Sequence, residues 1–139
     1  MSLSLFPKSF GRGFAFVSLT FFLAACEPDV PVDARIEYWA GAWTCNETVG
    51  DFSPQTYSID VEVGTGATDV TLSALYNQGG SFVVQGDVNG TQLTIPSQTV
   101  NGFLVSGSAS YSVFSGTVTY QLAVHDGSSN DETSGTWNR

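Results

Sequence analysis

A single histidine stands in this chain, His125, and a carboxylate, Asp126, follows it directly. With a serine nucleophile elsewhere, an imidazole and an acid could form a hydrolytic triad. Neighbouring residues on a strand, however, point to opposite faces, so Asp126 is badly placed to orient His125. No G-x-S-x-G elbow accompanies the pair. The expectation is a solvated strand end, and the chain is not expected to be an enzyme. The run Asp126-Gly127-Ser128-Ser129-Asn130-Asp131-Glu132 is rich in oxygen ligands, the kind calcium takes. Asp126, Asp131 and Glu132 form a weak candidate set for it, since their spacing does not follow the alternating acids of a calcium loop; a hairpin turn is the expectation, with no metal and no cofactor. Asp60 and Glu62 share a face at i, i+2, but a paired-carboxylate glycosidase also needs a cleft. A wet outer sheet face accounts for them. Cys45 lies two residues after Trp43 and shares its face, which suits a small buried hydrophobe; a reactive thiol or an intermolecular disulfide are the alternatives.

The elements that position these groups are strands. Tyr57, Ile59, Val61 and Val63 alternate with Ser58, Asp60 and Glu62, the mark of a strand with one wet face. Val70-Leu72-Ala74, Phe82-Val84, Leu93-Ile95, Phe103-Val105-Gly107-Ala109-Tyr111 and Val118-Tyr120-Leu122-Val124 repeat the pattern. Thr133, Gly135 and Trp137 carry it to the end, and an opening run from Glu37 to Thr48 precedes it. Asn89-Gly90 reads as a hairpin turn with positive φ at both positions. Pro96, which cannot donate to a ladder, should stop the strand containing Leu93 and Ile95. The total is about eight short strands without a long crossover. That predicts an all-β protein, an antiparallel up-and-down barrel, with a two-sheet sandwich as competitor and no helix apart from the leader.

The leader is residues 1–25. Lys8 and Arg12 are followed by Phe14 to Ala25, an uncharged stretch too short for the roughly 20 residues of a spanning helix. It ends in Leu23-Ala24-Ala25-Cys26, which resembles the lipobox of bacterial lipoproteins. The resemblance implies that the thiol of Cys26 receives a diacylglycerol and that a signal peptidase recognising Leu23, Ala24 and Ala25 cuts before it. Residues 26–35 then form an acidic tether with two prolines, extended and solvated, and residues 36–139 the barrel. Acids close to the cysteine resemble the export signals of Bacteroidota lipoproteins. The expected location is the outer membrane of a Gram-negative envelope, on a face the sequence leaves open. With Cys26 acylated, Cys45 has no partner for an intradomain disulfide.

Gly41-Ala42-Trp43 resembles the G-x-W motif of lipocalins, whose tryptophan plugs the closed end of an eight-stranded calyx. That family lays an arginine across the ring, and Arg139 is the candidate here, making Trp43 and Arg139 the expected barrel-closing pair. The C-terminal helix of lipocalins has no counterpart before Arg139. In length and style the chain is similar to the small lipocalin-like lipoproteins of Bacteroidota. The aromatics Trp39, Trp43, Tyr57, Phe82, Phe103, Tyr111, Tyr120 and Trp137 would line a pocket or fill a core, and a mostly filled interior with a shallow mouth is the expectation.

All thirteen acidic residues lie from Glu27 onward, against two basic residues, Arg35 and Arg139. The resulting charge of −11 after cleavage disfavours nucleic acid and electrostatic binding to an anionic bilayer. Lipid on Cys26 is thus expected to be the sole anchor, holding a barrel that stands clear of the membrane. The expected function is non-enzymatic: binding a small apolar ligand or a protein partner, or serving an envelope structural role. The alternative is an inhibitor of a lysozyme- or protease-type hydrolase, steered by charge; a hydrolase comes last.

Overall fold

The computed structural model describes residues 36–139; the leader, the lipobox, Cys26 and the tether lie outside the described residues. One helical turn, α1 (Ile36–Trp39), precedes eight strands: β1 (Gly41–Val49), β2 (Gln55–Val63), β3 (Asp69–Ser73), β4 (Val83–Asn89), β5 (Gln92–Val100), β6 (Phe103–Tyr111), β7 (Val118–His125) and β8 (Asn130–Asn138). Each strand pairs antiparallel with the next. β1 then pairs with β8, so the sheet closes into an up-and-down barrel with no free edge. A 3-10 turn, Leu75–Asn77, lies between β3 and β4.

The alternating apolar residues face inward, as the period of two requires. Trp43, Cys45, Tyr57, Ile59, Val61, Val70, Leu72, Val84, Val88, Leu93, Ile95, Val105, Val118, Tyr120, Leu122, Val124 and Trp137 are all buried in one core. Asp60 and Glu62 are exposed on the outer wall.

Three details differ from the reading of the sequence. The opening run is not strand throughout: residues 36–39 turn as a helix, burying Ile36 and Trp39 three residues apart, and the strand begins only at Gly41, whose φ of 112° suits a residue without Cβ. Pro96 does not end β5. The ladder to β6 instead shifts register between Ile95 and Gln98, so the missing N–H falls where no pairing is made. The β4–β5 turn is centred on Gly90-Thr91 rather than Asn89-Gly90, since Asn89 pairs with Gln92 and Gly90 takes φ 64°. Both central residues take positive φ at the next hairpin, Asn101 (49°) and Gly102 (86°).

Candidate functional site

The two ends of the barrel are built differently. At the end where β1 begins, α1 forms a floor. The Trp39 indole N–H donates to the Gly90 carbonyl (3.1 Å), and the Trp43 indole N–H to the Trp39 carbonyl (2.8 Å). Trp39 and Trp137 meet edge to face at 6.4 Å, Trp43 and Tyr111 at 6.3 Å, and Tyr120 stacks on Trp137 at 5.6 Å. The Arg139 guanidinium lies 4.0 Å from the centroid of the Trp43 ring and donates to the Tyr38 and Ala40 carbonyls. It thereby ties the last residue of the chain to the loop that precedes β1.

The middle of the barrel is filled as well. Cys45 is buried against Tyr57, Tyr120 and Trp137, and burial pushes its thiol pKa up, so it is held as an unreactive thiol. Burial likewise raises Tyr57 and Tyr120 well above the usual phenol range. Tyr57, Tyr120 and Trp137 are therefore core residues, not walls of an open calyx. The Tyr57 hydroxyl, the Thr133 hydroxyl and the Trp137 indole N–H are buried without a hydrogen-bond partner.

The opposite end is a mouth. Phe52 on the β1–β2 loop and Phe103 at the start of β6 meet the Tyr76 ring edge to face, at 6.0 and 6.2 Å, and Phe82 packs beneath Phe103 at 5.9 Å. Together with Asp51, Gln78, Val124, Asp126, Ser129 and Asp131, the Phe52, Tyr76 and Phe103 rings line a cleft of about 250 Å³. Tyr76 is held there by an unusual backbone: Ala74, Tyr76 and Asn77 all take left-handed φ values of 64°, 57° and 55°. Such residues cost roughly 1 kcal/mol or more apiece and gather at sites that need a side chain held in place. A larger groove, about 370 Å³, runs over the outer wall across Ser106–Ser108, Gln121–Ala123 and Glu132–Ser134. It has neither an aromatic nor a buried carboxylate, so the mouth is the better candidate.

Beneath the mouth lie two carboxylates that point inward. Asp131 accepts from the Tyr76 hydroxyl (2.8 Å) and the Asp51 backbone N–H (2.9 Å). Glu47 is 1 % exposed and accepts from the Gln55 amide (3.1 Å) and the Tyr120 hydroxyl (3.5 Å). Burial raises the Glu47 pKa, and the nearby Asp131 charge adds to the rise. The folded barrel therefore favours the protonated acid. Its stabilising contribution is complete below the ordinary carboxylate value and is lost as pH rises through the raised value. Asp126 behaves in the opposite sense, because backbone N–H bonds from Ser129 and Ser128 lower its pKa. Glu47→Gln keeps the neutral form at every pH. Its stability relative to the unsubstituted protein should climb as pH rises above the ordinary carboxylate range in urea titrations; parallel curves for the two proteins would show that Glu47 ionises at no cost.

The groups singled out from sequence are distributed as follows. Asp126 spends its carboxylate on the loop itself, accepting from the backbone N–H groups of Ser128 (2.8 Å) and Ser129 (2.7 Å) and from both hydroxyls. Asp131 points inward and Glu132 outward, so the weak calcium set does not converge; among the described residues no three His, Cys, Asp or Glu side chains cluster to hold a metal. His125 Nδ1 accepts from the Gly127 N–H (3.0 Å) rather than facing Asp126. Trp39, Trp43, Tyr111 and Trp137 gather at the floor, and Phe82 and Phe103 at the mouth. Glu47 and Tyr76 were not singled out. Glu47 could have been, since it continues the inward phase of Trp43 and Cys45.

The chain matches no family model, and no curated protein resembles it in sequence. Among solved structures it is similar to a redesigned beta barrel, with 14 % identity and a TM-score of 0.47, over 76 % of this chain and 94 % of that one. The class of the protein, a closed eight-stranded antiparallel barrel, rests on its own strand pairing.

Proposed function

We propose that this is a lipid-anchored envelope lipoprotein, non-enzymatic, whose lipocalin-like barrel binds its ligand at the mouth instead of in a calyx. The observation that carries the reading is the rim of Phe52, Tyr76 and Phe103, braced by left-handed residues over an interior already filled with side chains. A small, largely apolar molecule would lie against the three rings, with Asp51 and Asp131 beside it. The G-x-W-like residues and the Arg139–Trp43 stack support the likeness to lipocalins. Leu23-Ala24-Ala25-Cys26 supports lipidation and release from the leader, and the acidic tether supports the outer membrane.

The test is native mass spectrometry of the protein purified from its host envelope. A bound mass should be present and should be lost in Phe52→Ser; an empty barrel in both would sink ligand binding. Cys26→Ser should move the protein out of the membrane fraction.

One observation favours a second reading, inhibition of a basic hydrolase. Phe52 is 64 % exposed, between the rim acids Asp51 and Asp126, as an anchor for a protein surface would be. Capture of lysozyme-type or protease targets that weakens with salt and with Phe52→Ser would select this reading, and no capture would remove it.

A further inference from the structure

The β6–β7 loop, residues 112–117, carries the most exposed large apolar side chain among the described residues, that of Phe114, with the exposed Val113 beside it. Phe114 is 100 % exposed and Val113 58 %. The loop has neither an acid nor a base in a strongly acidic chain. It lies at the floor end, beside α1: Tyr111, which leads into it, stacks on Tyr38 at 5.8 Å, and Tyr38 is half exposed. Ile36 is buried, so the first described residue is fixed at this end. The chain that leads back to Cys26 therefore leaves from the same end, and its ten residues reach at most about 35 Å.

From this placement we propose that the Val113-Phe114 loop docks into the headgroup boundary of the bilayer that holds the Cys26 lipid, giving the barrel a second, non-covalent contact and a fixed orientation. The inference rests on the lipoprotein reading above. Loop chemistry suits the role. The Ser112 N–H donates to the Thr117 carbonyl (2.9 Å), the Gly116 N–H to the Ser112 carbonyl (2.8 Å), and the Ser115 and Thr117 hydroxyls bond each other at 2.7 Å. These bonds spare the Ser112 and Gly116 N–H groups a loss on leaving water, while the Val113 and Phe114 backbone, not bonded within the loop, keeps docking at the hydrated headgroup level. Tyr38, with an apolar ring and a polar tip, is of the type that settles at a membrane interface.

Charge sets the tilt. The outer-wall acids at this end, Glu62, Asp69 and Asp87, lie on β2, β3 and β4, and Asp69 faces Asp87 directly across the ladder. They oppose close approach of an anionic surface on that side. The exposed Glu37 on α1 is the acid closest in chain to Tyr38. A barrel resting on its β6–β7 side lifts the β2–β4 acids away and turns the mouth from the bilayer.

The test uses the full, lipidated chain in its own membranes, with a nitroxide on Ser115→Cys or, separately, on Phe52→Cys at the mouth. Cys26 is acylated and Cys45 buried, so neither takes the label. The label at 115 should favour collision with membrane-dissolved oxygen, and the label at 52 with a water-soluble nickel chelate. Adding Val113→Ser and Phe114→Ser, both at exposed positions, should return the label at 115 to water, lowering the docked-to-undocked ratio by about tenfold or more, the effect of losing the burial of a phenylalanine side chain. A label at 115 as wet as that at 52, in a chain that still sediments with membranes, would overturn docking and leave the lipid anchor standing. So would a protected label at 52. A chain absent from the membrane fraction would remove both readings.

Discussion

Trp43→Ala should destabilise the barrel by about 3–5 kcal/mol, the loss usual for a buried tryptophan. The indole is 2 % exposed and joins three things at once. It packs on Tyr111 and on Trp137 at 6.3 and 6.5 Å, it donates to the Trp39 carbonyl that ends α1, and it supports the Arg139 guanidinium. Its removal leaves a cavity in the floor that α1 is too short to fill by moving. Domains of this size hold about 5–15 kcal/mol in total, so the variant should unfold at much lower urea. Arg139→Ala is the control. Arg139 is exposed, and its stacking and its two bonds to carbonyls should together amount to about 1 kcal/mol. The two substitutions should also couple in a double-mutant cycle, since each removes half of the stack. Equal losses for Trp43→Ala and Arg139→Ala would mean that the floor is held by charge and not by packing.

The period-two reading succeeds wherever a strand has one wet face, because a slip of one residue would put every apolar side chain outside. Tyr57-Ile59-Val61 and Val118-Tyr120-Leu122-Val124 thus have their inward phase visible in the sequence. Closure was legible too, from eight strands joined by short links. The same rule fails where local backbone overrides it. Trp39 continues the alternation of Gly41 and Trp43 on paper, yet it reaches the core from a helical turn, because Gly41 at φ 112° breaks the strand. Pro96 looks like a stop and lies instead at a register shift, where three steps along β5 from Ile95 to Gln98 oppose two along β6 from Gly107 to Val105.

The site was less legible for a related reason. Alternation was followed for apolar residues, and an inward carboxylate is masked by that habit. Glu47 continues Trp43 and Cys45, and Asp131 continues Thr133, Gly135 and Trp137 toward the turn, but Glu47 carries no signal of its own and Asp131 reads as part of the oxygen-rich turn. Tyr76 could not be placed at all, because its position depends on three left-handed residues other than glycine. The Val113-Phe114 tip was hidden differently. The alternation already leaves the pair between strands ending at Tyr111 and beginning at Val118, as the pairing of those two residues has it. An apolar pair in a link, however, carries no sign of whether it folds onto the core or stays exposed.

Closing the barrel depends on one missing side chain, and Gly135→Ala should show it. Gly135 faces inward on β8, paired with Glu47 on one side and Tyr120 on the other, at the point where the β1 ladder shifts between Glu47 and Val49. A Cβ there would collide with the Asn46 carbonyl oxygen and lie 2.9 Å from the Glu47 Cα. These are backbone atoms of the neighbouring strand and cannot turn aside, so relief requires β1 and β8 to separate. The expected loss is about 3 kcal/mol or more, at or beyond the upper end of ordinary overpacking. Gly86→Ala makes the comparison fair. Gly86 also faces inward, but its Cβ would meet the ends of side chains, Leu93 Cδ1 at 2.8 Å and Leu72 Cδ1 at 3.2 Å, which can shift by a small rotation. Its loss should be about 1 kcal/mol. Hydrogen exchange supplies the second readout, because strain at the seam should release the amides of β1 and β8 ahead of global unfolding while those of β4 and β5 stay protected. If Gly135→Ala and Gly86→Ala lose the same stability and exchange uniformly, the seam between β1 and β8 is no tighter than the rest of the barrel.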